Sequence, residues 1–288
     1  MKICCRCSQP FESPDWRCPR CGSLPEVIEG RIALAPELAS GNDGFEAGYF
    51  ERLAQMEAGH FWFEGRNELI LWAIAEHFPR MHSMLEIGCG TGFVLRAVRQ
   101  RFPDARLAGS EIFGAGLRFA SERIPDGELF QMDARRIPFR EEFDVIGAFD
   151  VLEHIDQDEE VLQQMHQAVR PGGGIVLTVP QHPRLWSASD DYAFHKRRYT
   201  RSELVSKVRR AGFQPVLVTS FVSLLLPLML ASRVRSKFSR KQFDPEAEFR
   251  LNRVLNCCFL STMRLERQLI RAISLPAGGS LLVVAKHP

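Results

Sequence analysis

The sequence lacks long hydrophobic runs. No stretch reaches the about 20 consecutive apolar residues that a membrane-spanning helix needs. The first three residues, Met1-Lys2-Ile3, are followed by cysteines and not by an apolar segment. The missing apolar segment argues against a signal peptide. We therefore expect a cytoplasmic protein.

An excess of one charge is also missing. The 37 lysines and arginines nearly balance the 35 aspartates and glutamates, and the formal net charge is +2. So small a net charge does not give the chain a strong field for polyanions. A charged fraction of 25% is ordinary for a folded protein. The 288 residues suffice for one sizeable α/β domain and a smaller module.

The most informative stretch that is present spans residues 83–93. Its apolar start predicts a buried parallel strand, and a helical pattern follows the turn. The turn contains three alternating glycines, which let a ligand lie against the backbone: Gly88, Gly90 and Gly92. The spacing differs from the G-x-G-x-x-G of dinucleotide-binding folds. A carboxylate two residues before the turn, Glu86, would repel a diphosphate and suits a cationic ligand.

Further apolar runs predict parallel strands at residues 106–110, 128–132, 143–150 and 175–179. Glu111 ends the second strand roughly twenty residues past the glycine turn, where an acid can accept hydrogen bonds from ribose hydroxyls. Asp133 follows the third strand. The carboxyl ends of parallel strands lie along one rim of a sheet, so we expect both acids and Glu86 to line one ligand site.

These motifs resemble class I S-adenosylmethionine-dependent methyltransferases of the type 11/12-like, small-molecule and lipid-pathway branch. The resemblance covers about a hundred residues, from Met84 to Pro180. It rests on E-x-G-x-G-x-G at 86–92, on Asp133 with the following Ile-Pro-Phe, on DVLEHI at 150–155 and on V-R-P-G-G at 169–173. It implies a doubly wound, mostly parallel, seven-stranded Rossmann-like sheet. Helix 159–169 would stop at the P-G-G-G run, and strands 213–221 and 280–286 would pair antiparallel at the sheet edge.

The resemblance also implies which residues hold S-adenosylmethionine. Glu86 would lie near the methionine part, Glu111 at the ribose, and Asp133 at the adenine amino group. The segment HFWFEGR, in a helical pattern at residues 49–78, would close the pocket, with one arginine at the cofactor carboxylate. The full expected set is Arg66, Glu86, Gly88, Gly90, Gly92, Glu111, Ile112, Asp133, Ala134, Asp150 and Val151.

Candidate residues for the acceptor side follow the fourth and fifth strands. His154 is the candidate general base, because an imidazole titrates near neutrality; the alternative is a structural histidine. The segment DD…HKRRYT resembles the loop after strand five in bacterial methyltransferases of ubiquinone and lipid pathways. This loop would cover the site or form a solvated lattice of ion pairs. The expected substrate residues are Trp62, His195, Arg198 and Tyr199.

Five of the eight cysteines crowd the start of the chain. Four form two C-x-x-C pairs: Cys4, Cys7, Cys18 and Cys21. Four thiolates in this arrangement can surround Zn²⁺, and a reducing cytoplasm disfavours disulfides. The pattern resembles a zinc ribbon or a rubredoxin-type knuckle, with iron or a metal-free redox pair as alternatives. Such a module could dock a protein or a nucleic acid.

The predicted organisation has six parts. A zinc ribbon (1–30), a linker (31–48) and a helical cover (49–80) precede the cofactor-binding core (81–220). A helical insertion (221–279) and a final edge strand (280–288) follow. The insertion combines an apolar run at 221–231 with five basic residues: Arg233, Arg235, Lys237, Arg240 and Lys241. This pattern fits peripheral docking on the inner membrane surface, a substrate tunnel, or a helix that caps the sheet or forms a dimer face.

Methyl transfer to a small-molecule or lipid-like acceptor, at oxygen, nitrogen or carbon, is the function that these features predict. A second interpretation is RNA methylation of the ribosomal-RNA type, because ribosomal-RNA guanine methyltransferases also have a zinc module before this fold. The near-neutral charge and the absence of N-P-P-Y after the fourth strand argue against it. A third reading is a non-catalytic protein that binds the cofactor and docks a partner. The oligomeric state is open.

Overall fold

Residues 1–39, 47–238 and 251–288 are described in the computed structural model of the chain. Their strands are β1 (Lys2–Ile3), β2 (Pro10–Phe11), β3 (Glu26–Ile28), β4 (Arg31–Ala33), β5 (Ser83–Ile87), β6 (Arg106–Glu111), β7 (Glu128–Gln131), β8 (Phe143–Phe149), β9 (Val169–Pro180), β10 (Gln214–Phe221) and β11 (Ser280–Lys286). Their α-helices are α1 (Ala47–Glu57), α2 (Phe61–His77), α3 (Phe93–Arg101), α4 (Gly114–Arg123), α5 (Asp158–Ala168), α6 (Ala188–Tyr192), α7 (Arg201–Arg210), α8 (Leu226–Phe238) and α9 (Arg253–Ile270).

Nine of the described strands form one sheet in the order β10-β11-β9-β8-β5-β6-β7-β4-β3. The pairs from β9 to β4 in this order are parallel, whereas β11 pairs antiparallel with both β9 and β10. The predicted mostly parallel α/β fold with an antiparallel edge is therefore confirmed. Two strands, β3 and β4, extend the predicted seven.

The central strand β5 has five residues, and all of them are buried. Successive side chains of a strand point to opposite faces. Met84 accordingly joins the core beneath α2, α3 and α4, while Leu85 and Ile87 join the core beneath α5 and α7. A parallel strand between two helical layers must be apolar on both faces, and this explains the run seen in the sequence.

The segment from residue 31 was predicted to begin a linker, which was wrong for its first part. Arg31–Ala33 forms β4, which pairs parallel with β7 and aligns Ile32 with Phe130. Apolar side chains after the tight turn at Glu29 and Gly30 complete a β-hairpin that extends the sheet. The strongest linker signal, residues 40–44, lies outside the described residues.

The cysteine module is packed on the sheet rather than loosely tethered. The N–H of Ile3 donates to the carbonyl of Pro138 at 2.8 Å. Trp16 is buried and meets the rings of Phe130 and Phe139 edge-on, with centroids 5.8 and 5.5 Å apart. The aromatic residue of the module therefore belongs to the main core.

The helix at 159–169 was predicted to stop at residues 171–174, before a strand that begins at Ile175. Instead β9 begins at Val169 and runs through these residues. A Cβ atom on Gly174 would lie 2.2 Å from the carbonyl oxygen of Ala285. Glycine is needed here because the neighbouring strand β11 passes close to the backbone.

Replacing Gly174 by alanine should destabilise the fold by about 1–3 kcal/mol, as is usual when a packed core is overfilled. The added methyl group meets backbone of the adjacent strand, which has no freedom to move aside. Thermal unfolding followed by circular dichroism measures the loss. Gly114→Ala is the matched control, because no atom lies within 4 Å of its Cβ position. Equal melting temperatures for the two variants would contradict this packing.

The predicted insertion contains α8 and α9. Glu266 on α9 is buried and accepts hydrogen bonds from three consecutive N–H groups before α8, those of Val222, Ser223 and Leu224. The two helices are thereby joined to the end of β10. The predicted basic residues Arg240 and Lys241 lie outside the described residues. Within the described part, none of the helices is long and apolar enough to cross a membrane.

Candidate active site

A cavity of about 1790 Å³ opens at the carboxyl ends of the central parallel strands. Open α/β sheets bind ligands at this edge. Fourteen of the sixteen non-cysteine residues predicted for the site line it: Trp62, Arg66, Glu86, Gly88, Gly90, Glu111, Ile112, Asp133, Ala134, Asp150, Val151, His154, His195 and Arg198. Gly92 and Tyr199 do not.

The glycine turn after β5 forms one wall of the cavity. Gly88 and Gly90 have positive φ angles of 63° and 51°. A Cβ atom on Gly88 would lie 2.5 Å from Cγ2 of Val151, so this glycine lets the loop after β8 pack against the turn. A Cβ atom on Gly92 would instead lie 2.9 Å from Cα of Ala120. Gly92, which was predicted to bind the cofactor, therefore packs α3 against α4 and does not line the cavity.

Glu86 is only 3% exposed, yet it lines the cavity. Its Oε2 atom has no hydrogen-bond partner among the described residues. Burial raises the pKa of this carboxyl well above its ordinary value, and the guanidinium of Arg66 opposes this shift. A buried acceptor without a partner is unfavourable, so the site suits a ligand that brings a positively charged donor.

Glu111, at the end of β6, holds the glycine turn. Its carboxylate accepts hydrogen bonds from the N–H groups of Gly90 at 3.1 Å, Ile112 at 2.8 Å and Phe113 at 3.4 Å. Burial raises its pKa, and these three donors partly offset the effect. The predicted ribose residue therefore also positions the backbone beside it.

Asp133 follows β7 on the same rim. Its Oδ1 accepts from the backbone N–H of Arg135 at 2.9 Å and from Nε of the same residue at 3.0 Å. This contact fixes the carboxylate at the cavity wall next to Ala134. The three acids predicted on one rim are thus brought together.

Helix α2 covers the cavity, as the aromatic and arginine cluster predicted. Arg66 forms an ion pair with Asp150, the residue that follows β8 with φ of 57°. Asp150 also accepts a hydrogen bond from the hydroxyl of Thr178 at 3.2 Å. Trp62 stacks on Phe221 with ring centroids 5.9 Å apart. These contacts fix the cover over the end of the central sheet.

Helix α1 lies largely within the predicted helical cover (49–80), but the contacts that it makes were not predicted. Glu57 is buried and accepts from the hydroxyl of Thr91 at 2.7 Å and from Nη1 of Arg123 at 2.5 Å. Phe50 lies 3.9 Å from the Cβ position of Gly90. The acid lies 34 residues before its hydroxyl partner, and no local pattern connects them.

The loop after β9 is organised by Asp190, which is almost fully buried. Its Oδ1 accepts from Nε of Arg198 at 2.7 Å and lies 2.9 Å from Nδ1 of His195. Burial would raise the pKa of Asp190, but these two partners lower it to about 2. Arg198 also donates to the carbonyl of Gln181 at 3.0 Å. The arginine therefore holds the loop as well as lining the cavity.

Tyr199 was predicted at the substrate site, which was wrong. Its side chain is fully buried, and its hydroxyl donates to Oδ2 of Asp158 at 2.6 Å. The ammonium of Lys207 donates to the same carboxylate oxygen at 2.6 Å. An aromatic ring satisfied in this way anchors α7 to α5 and stays away from the cavity.

His154 lies in a short 3-10 helix after β8, and its ring is 4.8 Å from that of His195. Burial and the neighbouring imidazole lower the pKa of His154 to about 4. The ring is therefore uncharged at neutral pH. The preceding residue, Glu153, is fully buried and also lines the cavity, although the DVLEHI motif predicted no role for it.

The four predicted cysteine sulfurs lie within 4.8 Å of one another. The Cys4 and Cys21 sulfurs are 3.6 Å apart, and those of Cys7 and Cys18 are 3.7 Å apart. Zn–S bonds of about 2.3 Å in a tetrahedron require sulfurs about 3.8 Å apart, so the cluster fits zinc. Cys5 is exposed and lies outside the cluster.

Backbone donors favour the thiolate in this cluster. Burial raises the pKa of the Cys18 thiol, but the N–H groups of Cys21 and Arg20 point at its sulfur and lower it to about 6. Metal ligation requires the deprotonated thiolate. The second knuckle is therefore prepared for a cation.

The family model of a methyltransferase domain matches residues 53–218. A trans-aconitate 2-methyltransferase of Variovorax paradoxus is 28% identical over 36% of this chain and 40% of the relative. A ubiquinone biosynthesis O-methyltransferase of Stutzerimonas stutzeri is 27% identical over 50% of this chain and 67% of the relative. The chain therefore spans less than half the length of the first relative.

A solved structure has the same fold. It is phosphoethanolamine N-methyltransferase 2 of Haemonchus contortus in complex with S-adenosyl-L-methionine, with a TM-score of 0.51 and 19% sequence identity. The alignment covers 76% of this chain and 52% of the other. At this identity the likeness concerns the fold alone.

Proposed function

The chain belongs to the methyltransferase domain family, and we propose that it transfers a methyl group from S-adenosylmethionine to a small-molecule or lipid-like acceptor. One observation carries the proposal. Three buried acids at the ends of consecutive strands line a single cavity beside a glycine turn: Glu86, Glu111 and Asp133. This arrangement offers separate acceptors for the ammonium, ribose and adenine donors of the cofactor.

Unused hydrogen-bonding capacity supports the cofactor assignment. Oε2 of Glu86 is available to the ammonium of the methionine part, and the buried Nε of Arg66 is available to its carboxylate. An ionised carboxylate has about four acceptor positions, so Glu111 can accept from ribose hydroxyls beyond its three backbone donors. We assign Asp133 to the adenine amino group. Apolar contacts would come from Ile112, Ala134 and Val151.

The methyl group of S-adenosylmethionine is carried on a sulfonium and is already activated, which is the chemistry that the cofactor supplies. The task of the chain is to hold the acceptor in line with that methyl group and to exclude water. Positioning of this kind contributes about 7–11 kcal/mol in favourable cases. Trp62 and the two covering helices, α1 and α2, are placed to restrict water.

His154 would contact the acceptor at its reacting end. An effective general base has a pKa near the working pH, whereas burial and His195 lower the pKa of His154 to about 4. We therefore assign His154 a role as an uncharged hydrogen-bond acceptor or ligand. His195 and Arg198 line the same side of the cavity.

The acceptor proposed here has an apolar part. Leucine, methionine and aromatic side chains from α2, α9, α8 and the residue before α8 also line the cavity: Phe61, Trp62, Leu225, Leu228, Met229 and Phe259. Leu228 is also 56% exposed, so an apolar path leads from the surface into the cavity. We propose that a lipid-like acceptor enters along α8 from the inner face of a membrane, with the protein in the cytoplasm.

We also propose that Cys4, Cys7, Cys18 and Cys21 bind one structural Zn²⁺. The spacing of their sulfurs and the donors around Cys18 support this assignment. The ion would stabilise the hairpin β1–β2, whose Trp16 packs against Phe130 and Phe139. Its main effect would be on the sheet edge near β7 rather than on the reaction.

Transfer of a labelled methyl group tests the proposed function. Purified protein is incubated with methyl-labelled S-adenosylmethionine and with separate lipid, metabolite, RNA and protein fractions of a cell extract. Label should appear in the lipid or metabolite fraction and should fall at least tenfold for Glu111→Ala. Glu122→Ala, an exposed acid on α4, is the matched control. Label in RNA alone, or no transfer to any fraction, would refute the proposal.

A further inference from the structure

A second group of potential metal ligands lies at the acceptor side of the cavity. Glu153, His154 and His195 each present one ligand atom, and these atoms lie within 4.8 Å of one another. All three residues line the cavity. Two imidazoles and one carboxylate are a ligand set that divalent transition-metal ions bind, with coordination positions left open.

Glu153 is the unusual member of this group. Its side chain is 0% exposed, and neither carboxylate oxygen accepts a hydrogen bond from another described residue. The nearest cationic side chains are committed elsewhere, since Arg66 pairs with Asp150 and Arg198 with Asp190. A buried carboxylate without partners is costly. A bound cation would supply the missing partner.

The orientation of His195 fits metal binding. Its Nδ1 lies 2.9 Å from Oδ1 of Asp190, so Nδ1–H donates to the carboxylate and Nε2 keeps its lone pair. Nε2 is directed toward Glu153, with 4.0 Å to Oε1. Metal-binding histidines are generally oriented by a carboxylate on their other nitrogen. The loop after β9 therefore fixes the tautomer that a ligand requires.

We propose that Glu153, His154 and His195 bind one divalent transition-metal ion that positions an oxygen of the acceptor. Metal bonds of about 2.0–2.2 Å place neighbouring ligand atoms about 3 Å apart. His195 and Glu153 therefore approach each other by about 1 Å when the ion binds, which small side-chain rotations provide.

The role of the ion rests on the proposed methyl transfer. A divalent ion lowers the pKa of an oxygen acid bound to it. The acceptor hydroxyl then loses its proton to solvent and forms a bond from oxygen to the methyl carbon. The bond from that carbon to sulfur breaks, and its electron pair stays on sulfur. No change in metal oxidation state is involved, and no strong protein base is needed.

Co²⁺ is a suitable probe for this site. The full-length protein is first loaded with one equivalent of Zn²⁺, which the thiolates of the cysteine cluster bind preferentially, and Co²⁺ is then titrated. Binding of one Co²⁺ per chain is expected, with an absorption spectrum of nitrogen and oxygen ligands. Absence of a sulfur-to-cobalt charge-transfer band shows that the cysteines are not involved.

Variants identify the ligands. Glu153→Gln and His195→Gln should each weaken Co²⁺ binding at least tenfold, whereas Glu160→Gln, an exposed acid in the following helix, should not. Glu153→Gln replaces a buried carboxyl group without hydrogen-bond partners by a neutral amide, so the melting temperature of the zinc-loaded variant without Co²⁺ should equal or exceed that of the wild type. This second measurement shows that the variant is folded.

Failure of this inference differs from failure of the proposed function. No Co²⁺ binding beyond the cysteine cluster, or unchanged binding by folded Glu153→Gln, would overturn the metal site. Calorimetry of the protein that carries zinc only in the cysteine cluster tests S-adenosylmethionine binding separately. Binding of that cofactor without Co²⁺ binding would leave the proposed function standing. The reverse result would refute the proposed function and the role of the ion in it, and would leave the metal site standing.

Discussion

Replacing Glu86 by glutamine is expected to weaken S-adenosylmethionine binding by about 10- to 150-fold. Hydrogen bonds to charged groups contribute about 1.5–3 kcal/mol, and about 1.4 kcal/mol corresponds to one decade in affinity. The effect should be large because Oε2 of Glu86 is buried and has no other partner among the described residues. Isothermal titration calorimetry measures both dissociation constants.

The same carboxyl should make the affinity depend on pH. Burial raises its pKa in the free protein well above the ordinary value, and a bound ammonium would lower it again. Binding therefore releases a proton at pH values below the free-state pKa, and the affinity should decrease as the pH falls through that range. Calorimetry in buffers of different ionisation enthalpy detects the released proton.

Glu122→Gln provides the control for this variant, because it removes an exposed acid from α4 without touching the cavity. Its dissociation constant should equal that of the wild type. In Glu86→Gln the proton release should also disappear. A variant that binds as tightly as the wild type, with the same proton release, would show that Glu86 does not face the cofactor.

Removal of zinc is expected to have the largest effect on stability. Cys4→Ser should lower the free energy of unfolding by about 3–5 kcal/mol, because loss of a metal site is among the mechanisms that give the largest effects of single substitutions. This corresponds to roughly 6–20 °C in melting temperature for a chain of this size. Cys4 is buried in the same core cluster as Trp16, Phe130 and Phe139, so the damage should extend to the edge of the sheet.

Cys5→Ser separates loss of the metal from loss of any cysteine. Cys5 is exposed and outside the cluster, so this variant should retain about one zinc per chain and the melting temperature of the wild type. Emission from Trp16 should shift to longer wavelength only in Cys4→Ser. Wild-type stability in a protein shown by elemental analysis to contain no zinc would contradict a structural role.

The sequence predicted those features that depend on local pattern. The apolar run at 84–87 predicted a strand that is buried on both faces. Glu111 and Asp133 could be placed at the same rim of the sheet as the end of this strand, because parallel strands end at one edge. The cysteine spacing predicted the four sulfurs that meet. In each case the chemistry follows from residues that are close together in the chain.

Features that depend on distant contacts could not be predicted. Gly92 and Tyr199 matched expected motifs, but packing against Ala120 and a hydrogen bond to Asp158 place them outside the cavity. Asp190 organises the loop only because His195 and Arg198 fold back onto it. The strand β4 required β7 as a partner, so its short apolar run resembled a linker.

Calorimetry with two nucleoside ligands tests the central claim most directly. Full-length, zinc-loaded protein is titrated with S-adenosylmethionine and, separately, with NADH. The acids and the glycine turn of the cavity predict one S-adenosylmethionine bound per chain and no binding of NADH, because Glu86 repels a diphosphate. Binding of NADH without binding of S-adenosylmethionine would contradict the account.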